Sequence, residues 1–313
     1  MIATSFSNRQ SCLQPVARPH GFSMIELIVS LAIFAILTAL AVCGVQKVRA
    51  AATRTTCASN LRQIAIASHH YEANHRSLPA GCSYPGTNKP NGRSGRGLSW
   101  QTSLLPYLDR HELWSRCWDA NTKLPPAPNA VHDQLMAVVV PVFLCPADGR
   151  SSGHNQRPNQ SWALSDYTGV SGSAASDYNG VLFPGTGVRF VNIRDGSSNT
   201  IMIGERPPGP NGNYGAWYAS WGTVATCPVV QVTPAGLIGN PPASATGCDR
   251  MAPAFSQVNV DDLCSVGHYH SLHVGGANFV FADASVRFLP YSAAKIVPAL
   301  ATRAGGESDF GLD

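Results

Sequence analysis

From Leu27 to Val45 the chain is an almost unbroken apolar run of about nineteen residues, which at ~1.5 Å per residue just spans a ~30 Å hydrocarbon layer. Past Val45 the pattern becomes one-sided. Cys57, Leu61, Ile64, Ser68 and Tyr71 recur at helical spacing on one face, while Arg54, Arg62 and Gln63 fall elsewhere. No Pro or Gly interrupts the stretch from Val45 to Leu78, and Leu78-Pro79-Ala80-Gly81 ends it. The pattern predicts one helix from Phe22 to about Asn74, with Gly44 as its weakest point. Its first half, 22–46, suits a membrane, and its second half, 47–76, suits packing on a globular head.

Beyond residue 80 the periodicity shortens. Candidate strands are Met136–Leu144, Gly187–Ile193, Thr200–Glu205, Gly215–Trp221, Asn278–Phe281 and Ser285–Leu289. Between them lie loops rich in Gly, Pro, Asn and Ser, at 82–97, 121–130, 149–160, 206–214 and 233–254. Leu98–Leu108 and Ala293–Thr302 suit short helices. No internal repeat or long linker divides this part, so 77–290 is expected to form one β-rich head, followed by a C-terminal segment, 291–313. The fold class is α+β: a long N-terminal helix, membrane-spanning in its first half, packed on that head.

Composition supports this picture. Charged residues make up 13% of the chain, about half the usual share, whereas 29 Gly and 23 Pro favour a turn-rich β body over a helical bundle. The net charge of +4 is spread without a basic run, so no nucleic acid is expected as a partner. Nine cysteines occur, none as C-x-x-C. Cys12 precedes the apolar run and Cys43 lies within it. Cys57, Cys82, Cys117, Cys145, Cys227, Cys248 and Cys264 follow it, and export of that part would permit disulfides. At least two bridges are expected among the seven. Cys227, Cys248 and Cys264 bracket a long loop that stapling would stabilise.

The segment before the apolar run holds Arg9 and Arg18 and no acid, and ends in Gly21-Phe22-Ser23-Met24-Ile25-Glu26. An ordinary signal peptide places its small-residue cleavage site after a shorter apolar stretch. Here Gly21 comes before the stretch, and Glu26 heads a membrane span, an expensive place for a carboxylate. These residues resemble the leader of type IV prepilins and pseudopilins. The resemblance implies that a prepilin peptidase cuts residues 1–21 away between Gly21 and Phe22, that Phe22 is N-methylated, and that Glu26 pairs with the new α-ammonium group. Low dielectric would strengthen that pairing. An uncleaved signal anchor is the alternative. Lys47, Arg49, Arg54 and Arg62 after the span would by themselves favour a cytoplasmic C-terminus, but the leader directs the head outward.

Further stretches resemble the domain of unknown function 1559 family, whose members carry such a leader and a C-terminal H-x9-D-G signature. They are CASNLRQIAIASHHYEANHRSLPAG at 57–81, SWQTSLLPYLDRHELW at 99–114, VFLCPADGR at 142–150 and DYTGVSG at 166–172. VRFVNIRDGSSNTIMIGER at 188–206, GGANFVFADASVRFL at 275–289 and ATRAGGESDF at 301–310 complete the series. The resemblance implies a pilin-like fold. His273 and Asp283 keep the signature spacing, but Ala284 stands where the family has Gly. Asp-Gly supplies a positive φ cheaply in a tight hairpin and Ala does not, so a wider turn or another turn type is expected, with Asp283 a turn residue.

Candidate chemistry is sparse. His268, His270 and His273, with Asp283, form the one metal-binding candidate, since imidazole and carboxylate suit transition metals. The reading nonetheless favours no metal and no cofactor, and a polar histidine loop. Asp195-Gly196-Ser197-Ser198-Asn199-Thr200 reads as an Asx turn and lacks the alternating acids of an EF-hand calcium loop. No G-x-S-x-G, H-E-x-x-H, Walker A or G-x-G-x-x-G motif occurs, so no catalytic residue is assigned and the chain is not read as an enzyme. The expected function is a pilin- or pseudopilin-like structural or assembly subunit in the inner membrane, its head in the periplasm or at the cell surface. Its expected partners are the peptidase and other pilin-like subunits or a secretion apparatus, such as that of type II secretion. The rivals are a non-polymerising display protein that binds glycan or protein, and an exported metallohydrolase.

Overall fold

A computed structural model describes residues 21, 23–83, 98–123, 130–150, 161–173, 178–210, 215–218, 229–231, 255–262 and 269–307. Helix α1, Met24–His75, is the long helix expected from the apolar run and the amphipathic stretch after it. It ends at Arg76, whose positive φ of 59° and bond to the Glu72 carbonyl turn the chain out of the helix. Residues up to Arg49 form one compact unit and residues from Ala50 onward another. Within the first unit the apolar side chains of α1, from Met24 to Val48, are exposed. Within the second, α1 buries Cys57, Leu61, Ile64, Ala65, Ala67 and Ser68, the face read from the sequence.

The head is built on strands β3 (Tyr167–Gly172), β4 (Ile201–Glu205), β6 (Gly276–Phe281) and β7 (Val286–Pro290), which pair antiparallel in that order. Strand β5 (Val229–Gln231) joins the β3 edge in parallel. A two-residue pair, β1 (Cys82–Ser83) with β2 (Leu98–Ser99), stands apart. Every described residue of β3, β4 and β6 is buried, because both sheet faces are covered. In β6 the alternation is plain. Ala277, Phe279 and Phe281 join Phe255, Tyr269, Val297 and Leu300 in one core, while Val280 and Ala282 join Leu61, Ile64 and Tyr167 in the other.

Helices α2 (Trp100–Leu104), α3 (His111–Lys123) and α4 (Ala130–Met136) contribute to the core that also holds the buried face of α1. Ser99 caps α2 by accepting from the Thr102 amide at 3.0 Å and donates to the Trp217 carbonyl at 2.6 Å. Helix α5 (Val297–Leu300) follows a 3-10 turn, Tyr291–Lys295, in the expected C-terminal helical stretch.

Two expected strands are absent. Met136–Leu144 is the end of α4 followed by a 3-10 turn, Pro141–Phe143. The valines before Pro141 favour a strand locally, but Pro141 lacks an N–H for a ladder and suits the first position of a helical turn. Gly187–Ile193 contains the 3-10 turn Phe190–Asn192, and a side chain at Gly187 would collide with the Leu78 carbonyl. Of Gly215–Trp221, the described residues make one isolated bridge, Leu164 with Ala216.

Candidate functional site

Four buried side chains from distant parts of the chain meet where α1 crosses the sheet. Cys57 of α1 is disulfide-bonded to Cys145, which follows the Pro141 turn. His273, just before β6, places its Nε2 3.5 Å from Cys145 Sγ and 3.5 Å from Glu205 Oε1, at the end of β4. The ligand-type atoms of Cys57, Cys145, Glu205 and His273 all lie within 4.8 Å of one another. Each residue is held from behind. Asn278 donates its backbone N–H to Glu205 Oε2 and its side-chain amide to Oε1, at 2.8 and 2.9 Å. The Cys145 amide donates to Asp166 at 2.6 Å, Tyr167 Oη donates to the Cys57 carbonyl at 3.4 Å, and the His273 amide donates to Ser271 Oγ at 3.1 Å.

A second polar group adjoins it. Asp166 is buried, and burial first, then the negative charge of Asp148, pushes its carboxyl well above the ordinary range. Arg150 grips Asp148 through two parallel bonds of 2.9 and 2.7 Å and donates to the Pro208 carbonyl. The Asp148 hydrogen bond raises the guanidinium's affinity for its proton further.

Around these groups the stretch of α1 from Arg54 to His69 is fastened to the head. Arg54 stacks 4.1 Å above the Phe288 ring, Asn60 donates to the Leu144 carbonyl at 2.8 Å, and His69 Nε2 lies 2.9 Å from the Ala282 carbonyl. Beside the disulfide an open cleft of about 700 Å³ runs between Asn60, Gln63 and Ile66 of α1 and the Tyr107–Arg110 and Val140–Leu144 segments.

The structure separates His270 and His273 from Asp283. His273 turns to Glu205 and the disulfide, while exposed Asp283 lies past the far end of β6 and accepts from the Ser285 amide at 2.8 Å. The turn there is a three-residue loop, wider than a two-residue Asp-Gly hairpin, although Ala284 still takes the left-handed conformation. Ala284 takes a φ of +67°, donates to the Phe281 carbonyl, and leaves the Phe281 amide to bond the Ser285 carbonyl. This three-residue loop puts its strained position at Ala284. His270 is buried and donates its amide to the Glu205 carbonyl. His268 and Phe22 lie outside the described residues, as do Cys12, Cys227, Cys248 and Cys264. Cys82 is disulfide-bonded as well, so a second bridge accompanies Cys57–Cys145. Cys117 is a free thiol, pushed by burial up to about 12.

The Asp195 turn is bound otherwise than an Asx turn predicts. Its carboxylate accepts from the Thr302 hydroxyl and from the amides of Gly305 and Gly306, at 3.1, 2.7 and 2.8 Å. At the N-terminus Gly21 is exposed, and Glu26 accepts from the Ser23 amide at 2.9 Å, the reach-back half of a capping box.

The site residues that the sequence reading missed all lie in or beside the stretches quoted above: Cys57, Cys145 and Asp148, Asp166, Glu205, and Asn278. A model of the family described as a protein of unknown function, DUF1559, matches residues 46–295. The chain belongs to the DUF1559 family. A second model, the prokaryotic N-terminal methylation motif, matches residues 17–42. With the long apolar helix this makes the chain a prepilin-type, membrane-anchored, pilin-like member of DUF1559. Among curated proteins and among solved structures, none matches it.

Proposed function

We propose that this DUF1559 protein is exported by the prepilin route, cut after Gly21 by a prepilin peptidase, and retained in the inner membrane by α1 with its head on the outer side. There it acts as a structural or assembly subunit without catalysis. The observation that carries the reading is the methylation motif at 17–42 laid over the start of an apolar helix long enough to span a bilayer. The bond from the Ser23 amide to Glu26 agrees with it, since it holds the carboxylate one residue from the new N-terminal Phe22. The bridged cysteines suit an oxidising compartment.

A display role without polymerisation is the second reading, favoured by the cleft beside α1, whose polar and apolar walls would seat a ligand. Intact-mass spectrometry of membrane-extracted protein tests the processing step: a mature chain beginning at Phe22, with or without one methyl group, is expected. Recovery of residues 1–21 on the mature chain refutes it. Electron microscopy of cells overproducing the protein separates the two roles, because fibres appear only under the first.

A further inference from the structure

We infer that Cys57, Cys145, Glu205 and His273 form a zinc site in the reduced protein, and that the disulfide is the oxidised, metal-free state of the same site. Two thiolates, an imidazole and a carboxylate are a donor set that Zn²⁺ takes in tetrahedral geometry. Bonds of ~2.3 Å to sulfur and ~2.0–2.1 Å to nitrogen and oxygen put neighbouring donor atoms roughly 3.3–3.8 Å apart. His273 Nε2 already stands 3.5 Å from Cys145 Sγ and 3.5 Å from Glu205 Oε1, and no pair among the four exceeds 4.8 Å. Breaking the S–S bond and letting the two sulfurs part completes the tetrahedron.

The surroundings are those of a built site. Asn278 holds Glu205 with two hydrogen bonds, and Asp166 and Ser271 fix the backbones of Cys145 and His273. All four donors are buried, so water competes poorly for the metal. Zn²⁺ with two thiolates and one carboxylate leaves a single net negative charge, which the Asn278 donors soften.

The exchange between states balances. On loading, Zn²⁺ displaces one proton from each thiol, and both protons pass to solvent. On oxidation the two thiolates join as a disulfide, two electrons go to a protein disulfide oxidant, and Zn²⁺ leaves. Metal and bridge are thus alternative fasteners for one junction, joining α1 to the Cys145 loop and, in the zinc form, also to β4 and the segment before β6.

The test uses the full-length chain synthesised into detergent micelles under a phosphine reductant, with Zn²⁺ or without it. The expected results are one protein-bound zinc in the reduced chain that the oxidised chain lacks, and a thiolate-to-metal charge-transfer band with tetrahedral d–d absorption when Co²⁺ replaces Zn²⁺. Glu205→Gln and His273→Ala keep every cysteine and should each weaken binding at least tenfold. The inference is overturned if the reduced chain binds no zinc, or if both variants bind it as tightly as the unaltered chain. It is also overturned if zinc fails to support folding of the reduced chain. Should a variant fail to fold, the cobalt spectrum of the unaltered chain decides, because octahedral absorption without the charge-transfer band excludes the site.

Discussion

Ala284 occupies the one position of the β6–β7 loop where the backbone turns left-handed, with a φ of +67°. A Cβ there costs ~1–2 kcal/mol, part of which Gly would return through its greater freedom in the unfolded chain. Ala284→Gly is therefore expected to stabilise the head by about 0.5–1 kcal/mol, seen as a higher midpoint in urea with unchanged slope. Asp166 makes the opposite kind of demand. Its carboxyl is buried and faces Asp148, so the folded state holds its proton to higher pH than the unfolded state does. A raised value means that this contribution to stability is complete below the ordinary aspartate value of ~3.9 and is lost as pH rises through the folded value. Between the two the slope is at most one proton, about 1.4 kcal/mol per pH unit. Asp166→Asn retains an acceptor for the Cys145 amide and cannot ionise. Its melting temperature should lack the component that declines with pH in the unaltered chain. Equal slopes in the two proteins would refute the assignment.

At the scale of elements, α1 was the most legible part of the chain, because nothing in lipid competes with a long apolar run and Cys57, Leu61 and Ile64 mark the buried face directly. The hairpin of β6 and β7 was legible for a similar reason: Phe279 and Phe281 alternate with Asn278 and Val280 along it. Strand β3 escaped notice because its Tyr-Thr-Gly-Val-Ser-Gly sequence carries two glycines and few apolar residues, and only the sheet around it makes it extended. Helix α3, with its charged His111–Lys123 sequence, was missed as well. The buried cluster was illegible for another reason. Sequence counts cysteines but does not pair them, and Cys57 and Cys145 stand 88 residues apart. That separation has an energetic consequence. A loop of this size loses about 4–5 kcal/mol of closure entropy when crosslinked, so Cys57→Ala with Cys145→Ala should lower the head's unfolding free energy by about that amount. Chemical denaturation of the two proteins under oxidising conditions measures it, and a loss below ~1 kcal/mol would mean that Asn60, His69 and Arg54 hold α1 without the bridge.

On the scale of the whole molecule, the DUF1559 stretches that look unrelated along the chain serve two junctions. One is the cluster behind α1. The other is the clasp in which Asp195 receives Thr302, Gly305 and Gly306 while Arg303 donates to the Tyr178 and Gly180 carbonyls and lies over the Phe183 ring. This clasp is one that only a late stage of synthesis can complete. In a chain synthesised N-terminus first α1 can form early, but the carboxylate at 195 waits for more than a hundred further residues before its donors arrive. A chain stalled before residue 302 therefore lacks this clasp and the anchorage it gives the Asp195 turn.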